Sequence, residues 1–220
     1  MSETWLNAAM TDSLLDPKSQ FHVYRRDRSD GYGGVCILVN KLLTSAAVNI
    51  THNIYPNVEL VGCFIVINDV KNLYLGYCCY CPPNISSEDH LHSRSHKIFT
   101  QDLTFTLDCF KAVVESSNVF LIGDFNMPDI TWENQLALSA GPGKSSNFQV
   151  FCQDLGLMQI VDLPTRGANL LDLVLTNDPL RVSCVTLLPP LASSDHDAIH
   201  ISLLIPINTM PNCPVSLIGR

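Results

Sequence analysis

The sequence has little of what would place it on a polyanion, in a membrane or outside the cell. Basic residues are outnumbered, 13 Lys and Arg against 21 Asp and Glu, so the formal net charge is -8 and no general basic field gathers nucleic acid. If nucleic acid is the substrate, a metal must offset the local carboxylates. No apolar run is long enough to span a bilayer. The opening MSETWLNAAMTDSLLD has no basic segment followed by an apolar one, so it does not read as a secretion signal. No stretch rich in Pro, Gly and Ser divides the 220 residues and no repeat is present, which predicts a single domain. Gly33-Gly34 lacks the GxxxxGK spacing and precedes a strand-like run, which excludes a phosphate-binding loop of that kind. The spacing of Cys78, Cys79 and Cys81 is wrong for a zinc knuckle, and His90, His92 and His96 read as a polar loop ahead of a helix.

What is present is a generous core, with 46% hydrophobic and 15% charged residues. The nine cysteines are odd in number and sit mostly in apolar, strand-like runs. That pattern fits buried thiols in a reducing compartment and predicts a soluble intracellular protein, nuclear or cytoplasmic, with no membrane partner. Strands are expected at Val35 to Val39 and at Val58 to Ile67, the latter turning at 68–72 into Leu73 to Tyr80 as a hairpin. Phe99, Leu103, Leu107, Phe110 and Val114 recur at helical spacing within 96–115. A second helix is expected from Asn147 to Leu155, ending at Gly156. Four short strands close the chain, near Met158 to Val161, Leu170 to Leu175, Val182 to Leu187 and Ala198 to Ile205. The sum is an α/β or α+β domain with more strands than helices.

Chemistry concentrates at strand ends. In LIGDFNMPDITW an apolar run ends in Gly123, and Asp124 and Asn126, two residues apart, leave the sheet on one side with Phe125 turned to the other. Asp172 interrupts the apolar NLLDLVLTND and needs a partner if buried, either an imidazole or backbone and hydroxyl donors. Asp195 and His196 stand directly before the last strand; they could divide cation and proton duties or simply cap a turn. Tyr80 ends a strand at the rigid YCPP turn, as a hydrogen-bond donor or as packing under the loop. Glu3, in SETWL, reads by itself as a solvated or capping residue.

Together SETWL, RRDRSDGYGGV, YCPP, LIGDFNMPDITW, NLLDLVLTN and SSDHDAIHISL resemble the endonuclease domain of LINE-type (non-LTR) retrotransposons, within the exonuclease-endonuclease-phosphatase superfamily. The resemblance runs to about Ile205 and implies a domain over 1–207, with 208–220 a tail outside it. It implies a sandwich of two mixed β-sheets packed face to face and flanked by helices, and Mg²⁺-dependent nicking of DNA, with Mn²⁺ as a substitute. The nick would leave a 3′-hydroxyl to prime reverse transcription. By motif position it implies Glu3 as a metal ligand, with Asp195 at the metal site or beside it. Asp124 would orient or deprotonate the attacking water, Asn126 would donate to a phosphate oxygen, and Asp172 would hold His196 against the scissile phosphate. Tyr80 would add a phenolic hydrogen bond. Four carboxylates in one cleft repel one another and a phosphate, and a hard cation on oxygen ligands removes both conflicts. The family's first strand, its Asn, its helix and the strand before ETWL have no counterpart ahead of Glu3, so the resemblance predicts Glu3 on a free end and an impaired site. It also predicts that the reverse transcriptase of the parent element is absent from this chain. The rival readings are a related phosphoesterase acting on inositol phosphates or lipids, and an inactive transposon-derived remnant.

Overall fold

Val119-Phe120-Leu121-Ile122 is apolar at every position, so a strand built from it must be covered on both faces. The computed structural model shows what covers it. It describes residues 1–27, 33–48, 59–67, 118–128, 130–132, 148–150 and 152–204, and the backbone alone at 73–80, 133, 136–140, 146–147, 151 and 216–219. The strands are β1 (Phe21–Arg26), β2 (Val35–Asn40), β3 (Thr44–Ala47), β4 (Glu59–Val66), β5 (Leu73–Tyr80), β6 (Asn118–Asp124), β7 (Ile130–Glu133) and β8 (Leu136–Ala140). After the helix α1 (Ser146–Asp154) come β9 (Met158–Gln159), β10 (Asp172–Thr176), β11 (Val182–Leu188), β12 (Ala198–Leu203) and β13 (Ser216–Gly219).

Six strands form one mixed sheet in the order β3-β4-β5-β6-β10-β9. Its one parallel pair is β5 with β6, and the other neighbours run antiparallel. Alternation along β6 sends Val119 and Leu121 to one face and Phe120 and Ile122 to the other. The first face packs Leu173, Leu175, Phe125 and Met127 against Phe148 and Cys152 of α1, with the Phe125 and Phe148 ring centres 5.0 Å apart. The second face packs Phe120, Ile122 and Val174 against Val185, Leu187, Ile199 and Ile201 of β11 and β12. On the same second face, Val61 of β4 meets Val35 and Ile37 of β2.

The facing layer is therefore made of two pieces, the β1–β2 hairpin and the triple β11-β12-β13. The fold is the expected α/β sandwich, rich in strands and with few helices. Among the described residues the facing layer is antiparallel in every pair. The loop 189–197 joining β11 to β12 is too short for a parallel crossover, which takes about a dozen residues or more.

The expected hairpin of β4 and β5 forms, as do β2, α1 and the four closing strands. The helix expected at 96–115 lies outside the described residues. Ser216–Gly219, in the segment expected to lie outside the domain, extends the second layer by pairing with β12. Among the described residues no helix is long and apolar enough to cross a membrane.

The amino terminus departs from the free end expected for Glu3. Backbone groups along the edge of β2 need partners, and residues 1–5 supply them. Cys36 N–H donates to Met1 O at 2.8 Å, Thr4 N–H to Gly34 O at 3.1 Å and Trp5 N–H to Gly33 O at 2.7 Å. The terminal ammonium donates to Cys36 O at 2.8 Å, and Ser2 is buried beside Val35. Gly34 has φ +89°, and a Cβ there would lie 2.5 Å from Thr4 Oγ1, so only glycine lets this segment seat.

Candidate active site

The pairing register builds a row across one end of the six-stranded sheet. Glu59 pairs with Tyr80, Tyr80 with Asp124, and Asp124 with Asp172. Asp124 and Asp172 share the parity of Phe120, Ile122 and Val174, so their side chains point between the two layers. Both are buried, as is Glu59. Tyr80 takes its place in the row by its backbone, and its side chain lies outside the described residues.

Asp172 finds the imidazole partner that a buried carboxylate requires: its Oδ2 lies 2.6 Å from His196 Nδ1. An ionised carboxylate only accepts, so Nδ1 carries the proton and Nε2 is left as the working nitrogen. The other carboxylate oxygen, Asp172 Oδ1, is buried with no hydrogen-bond partner among the described residues. The hydrogen bond from His196 to Asp172 raises the imidazole's pKa; burial opposes this, and the charges of Asp172 and Asp124 add to the rise.

Asp124 is pushed up to about 7, first by burial and then by the charge of Asp172, with Glu3 adding to the same side. The His196 charge and the Asn126 N–H pull the other way. Asp124 Oδ1 accepts from Asn126 N–H at 3.0 Å and Oδ2 accepts from Asn126 Nδ2 at 2.8 Å. Asn126 holds φ +48°, a left-handed conformation that Asn adopts more readily than most residues. Phe125, fully buried on the opposite face, pins the turn.

Asp195 has a different setting. Its side chain is 66% exposed, its Oδ2 pairs with Arg166 Nη2 at 2.6 Å, and its Oδ1 is 3.9 Å from His196 Nε2. Slight burial would raise its pKa, but the hydrogen bond and charge of Arg166 outweigh that and hold the carboxyl below its ordinary range. The structure thus brings together Asp124, Asn126, Asp172 and His196, sets Asp195 at their rim, and places Glu3 close enough for Asp124 to feel its charge.

Three residues that the sequence reading passed over complete the surroundings. Thr165 is buried, and its Oγ1 accepts from Asp172 N–H at 3.1 Å and Leu171 N–H at 3.2 Å. Its carbonyl accepts from Asp197 N–H at 2.8 Å, so one threonine ties down the segments on both sides of the imidazole–carboxylate pair. Arg166 follows it in a tight turn closed by Asn169. Glu59 Oε2 accepts from Gly34 N–H at 2.6 Å, linking the row to the strand that seats Glu3. The turn signals Pro164 and Gly167, with an arginine between them in an acidic chain, were the available hint for Arg166.

Among the described residues no group of three or more His, Cys, Asp or Glu side chains stands ready-made for a metal. The donors still fit a hard cation in kind. Asp172 Oδ1 has a vacant lone-pair side in a buried setting, Asp124 is strained by a neighbouring negative charge, and the nearby ligand atoms are oxygens.

The comparisons with known proteins bear on the family and the fold. No curated protein matches the sequence. The chain resembles several solved structures. The 3′ phosphatase NExo from Neisseria, bound to product DNA hairpin, is 12% identical with TM-score 0.62, covering 93% of this chain and 87% of that one. The human Nocturnin catalytic domain is 14% identical with TM-score 0.56, covering 99% and 77%. A humanized D. rerio TDP2 is 13% identical with TM-score 0.56, covering 89% and 81%. At such identities these likenesses establish the fold alone. The model of the endonuclease-reverse transcriptase family matches residues 74–200, more than half of the chain, and that span contains Tyr80, Asp124, Asn126, Asp172, Asp195 and His196. The chain belongs to the endonuclease-reverse transcriptase family, within the endonuclease/exonuclease/phosphatase superfamily.

Proposed function

We propose that the chain is a divalent-metal-dependent DNA endonuclease of the LINE retrotransposon type, which hydrolyses one phosphodiester and leaves a 3′-hydroxyl primer for reverse transcription. The observation that carries the reading is the buried His196–Asp172 pair set beside a second buried carboxylate, Asp124, whose pKa of about 7 suits a base near neutral pH. Asp124 takes the proton of the attacking water, and Asn126 fixes the orientation of its carboxylate. Its amide also serves the phosphate once substrate arrives. His196, kept protonated by Asp172, presents Nε2–H to a non-bridging oxygen of the scissile phosphate and stabilises the charge that develops there. Tyr80, in register between Glu59 and Asp124, adds a phenolic hydrogen bond to the same phosphate.

Glu3 and Asp195 would hold Mg²⁺, or Mn²⁺ in its place. The cation would act there as a Lewis acid on a phosphoryl oxygen. DNA is the partner on this reading. The backbone nick, as opposed to removal of a terminal phosphate, is tested with an end-labelled duplex oligonucleotide. The proposal expects internal cleavage products that a DNA polymerase extends without further treatment. Release of inorganic phosphate with the strands left intact would identify a phosphatase instead.

A further inference from the structure

The Arg166 guanidinium pairs with Asp195, whose other carboxylate oxygen lies 3.9 Å from His196 Nε2, in a chain whose acidic residues outnumber its basic ones. It sits in a turn that Thr165 fixes to both Asp172 and Asp197, so its backbone cannot drift away from the site. Gly167, at φ +58°, allows the chain to reverse immediately after it. The only ion pair recorded for Arg166 among the described residues is with Asp195, and both side chains are open to solvent, at 46% and 66%. An exposed pair of this kind contributes little to stability, so opening it is cheap. A guanidinium offers a forked set of donors that matches phosphate as well as carboxylate.

We propose that Arg166 is a binding site for a backbone phosphate of DNA adjoining the one cleaved, held in reserve by Asp195 until DNA displaces that carboxylate. The assignment rests on the endonuclease reading and extends it to substrate binding. In the free chain Asp195 occupies the donors of Arg166, which keeps the guanidinium beside His196 and blunts its attraction for stray anions. When DNA docks, a phosphate takes the place of the Asp195 carboxylate, and Asp195 is released toward the site rim, where its other oxygen already lies 3.9 Å from His196 Nε2.

The test measures binding of a fluorescein-labelled DNA duplex by anisotropy, in EDTA and across a salt series, using the Asp124→Asn chain as the non-cleaving parent. Adding Arg166→Gln is expected to weaken binding about tenfold at low salt. It should also reduce the slope of log K against log salt by about 0.9, the contribution of one phosphate contact. Adding Asp195→Asn is expected to strengthen binding, and that gain should vanish when Arg166→Gln is also present. Both positions are exposed, so the variants keep the fold, and melting temperatures within a degree or two of the parent check this. If the parent binds and Arg166→Gln leaves the slope unchanged, Arg166 is not a phosphate ligand. A gain from Asp195→Asn that persists without Arg166 would show simple charge repulsion and overturn the reserve role. A folded parent with no affinity for DNA at any salt would sink the endonuclease reading and this assignment with it.

Discussion

Two halves of the site are built differently. Asp124, Asp172 and His196 are 5% exposed or less and are held by hydrogen bonds from three directions: Asn126, Thr165 and one another. Glu3 and Asp195 lie at the margins, one on a terminal segment laid along β2 and the other largely exposed and paired with Arg166. On the proposed reading, the buried half has its proton-handling geometry in place without substrate. On the same reading, the outer half has to gather. Groups that must keep a fixed tautomer and an altered pKa need a dry, wired setting, whereas groups that meet a hydrated cation or a phosphate must stay reachable from water.

The largest effect that would break this comparison is expected at Asp124. Asp124→Asn keeps the size of the side chain and should lower the nicking rate by about 10²–10⁴-fold, read from first-order rates on supercoiled plasmid. The same change should stabilise the fold in alkali. With its pKa raised from 3.8 to about 7, the folded chain keeps a proton here that the unfolded chain has lost between those values, so stability falls as pH rises across that window. The contribution reaches about 4 kcal/mol at most. His196 acts in the same direction, because its raised pKa stabilises fully below 6.5 and the benefit is lost as pH rises through the folded value. Urea melts at pH 5 and pH 8 should show the wild-type chain weaker at pH 8 and Asp124→Asn less affected. Nicking by the wild type should rise with pH through about 7 as Asp124 ionises.

Next in size is Asp172→Asn, which removes the carboxylate charge that favours a proton on Nδ1 and offers the ring an amide N–H donor in its place. The rate should fall by about 10²-fold or more, and the His196 ring signals, followed by NMR against pH, should titrate at a lower pH than in the wild type. Thr165→Val sharpens the comparison from the supporting side. It should cost about 10-fold to 100-fold in rate, with Thr165→Ser restoring most of it because the serine hydroxyl still accepts from Asp172 N–H. The smallest effect is expected in the outer half. Gly34→Ala must avoid Thr4 Oγ1 and accept φ +89°, at about 1–3 kcal/mol measured by thermal melts, and by loosening Glu3 it should raise the Mg²⁺ concentration needed for half-maximal nicking.

The strand end at Asp124 was legible because its grammar is local: an apolar run, a glycine, two polar residues of one parity and a proline turn. His196 and Asp172 were legible as a pair only through motif resemblance, since 24 residues separate them and neither spacing nor composition says that they meet. Glu59 escaped notice because its neighbours in the row come from pairing across four strands, which no window of sequence displays. Thr165 escaped for a related reason. A threonine in a turn is ordinary, and its importance comes from where the chain returns at Asp197. The free end expected of Glu3 was wrong because an amino terminus can pair with an open strand edge as well as any interior segment can.

The central claim is that the Asp124–Asp172–His196 cluster cuts DNA, and nicking of supercoiled plasmid by the purified chain tests it most directly. With Mg²⁺ present, the account predicts conversion to the relaxed circle by the wild-type chain and none by Asp124→Ala or in EDTA. A folded, soluble wild-type chain that leaves the plasmid supercoiled, or an Asp124→Ala chain that nicks at the wild-type rate, would contradict it.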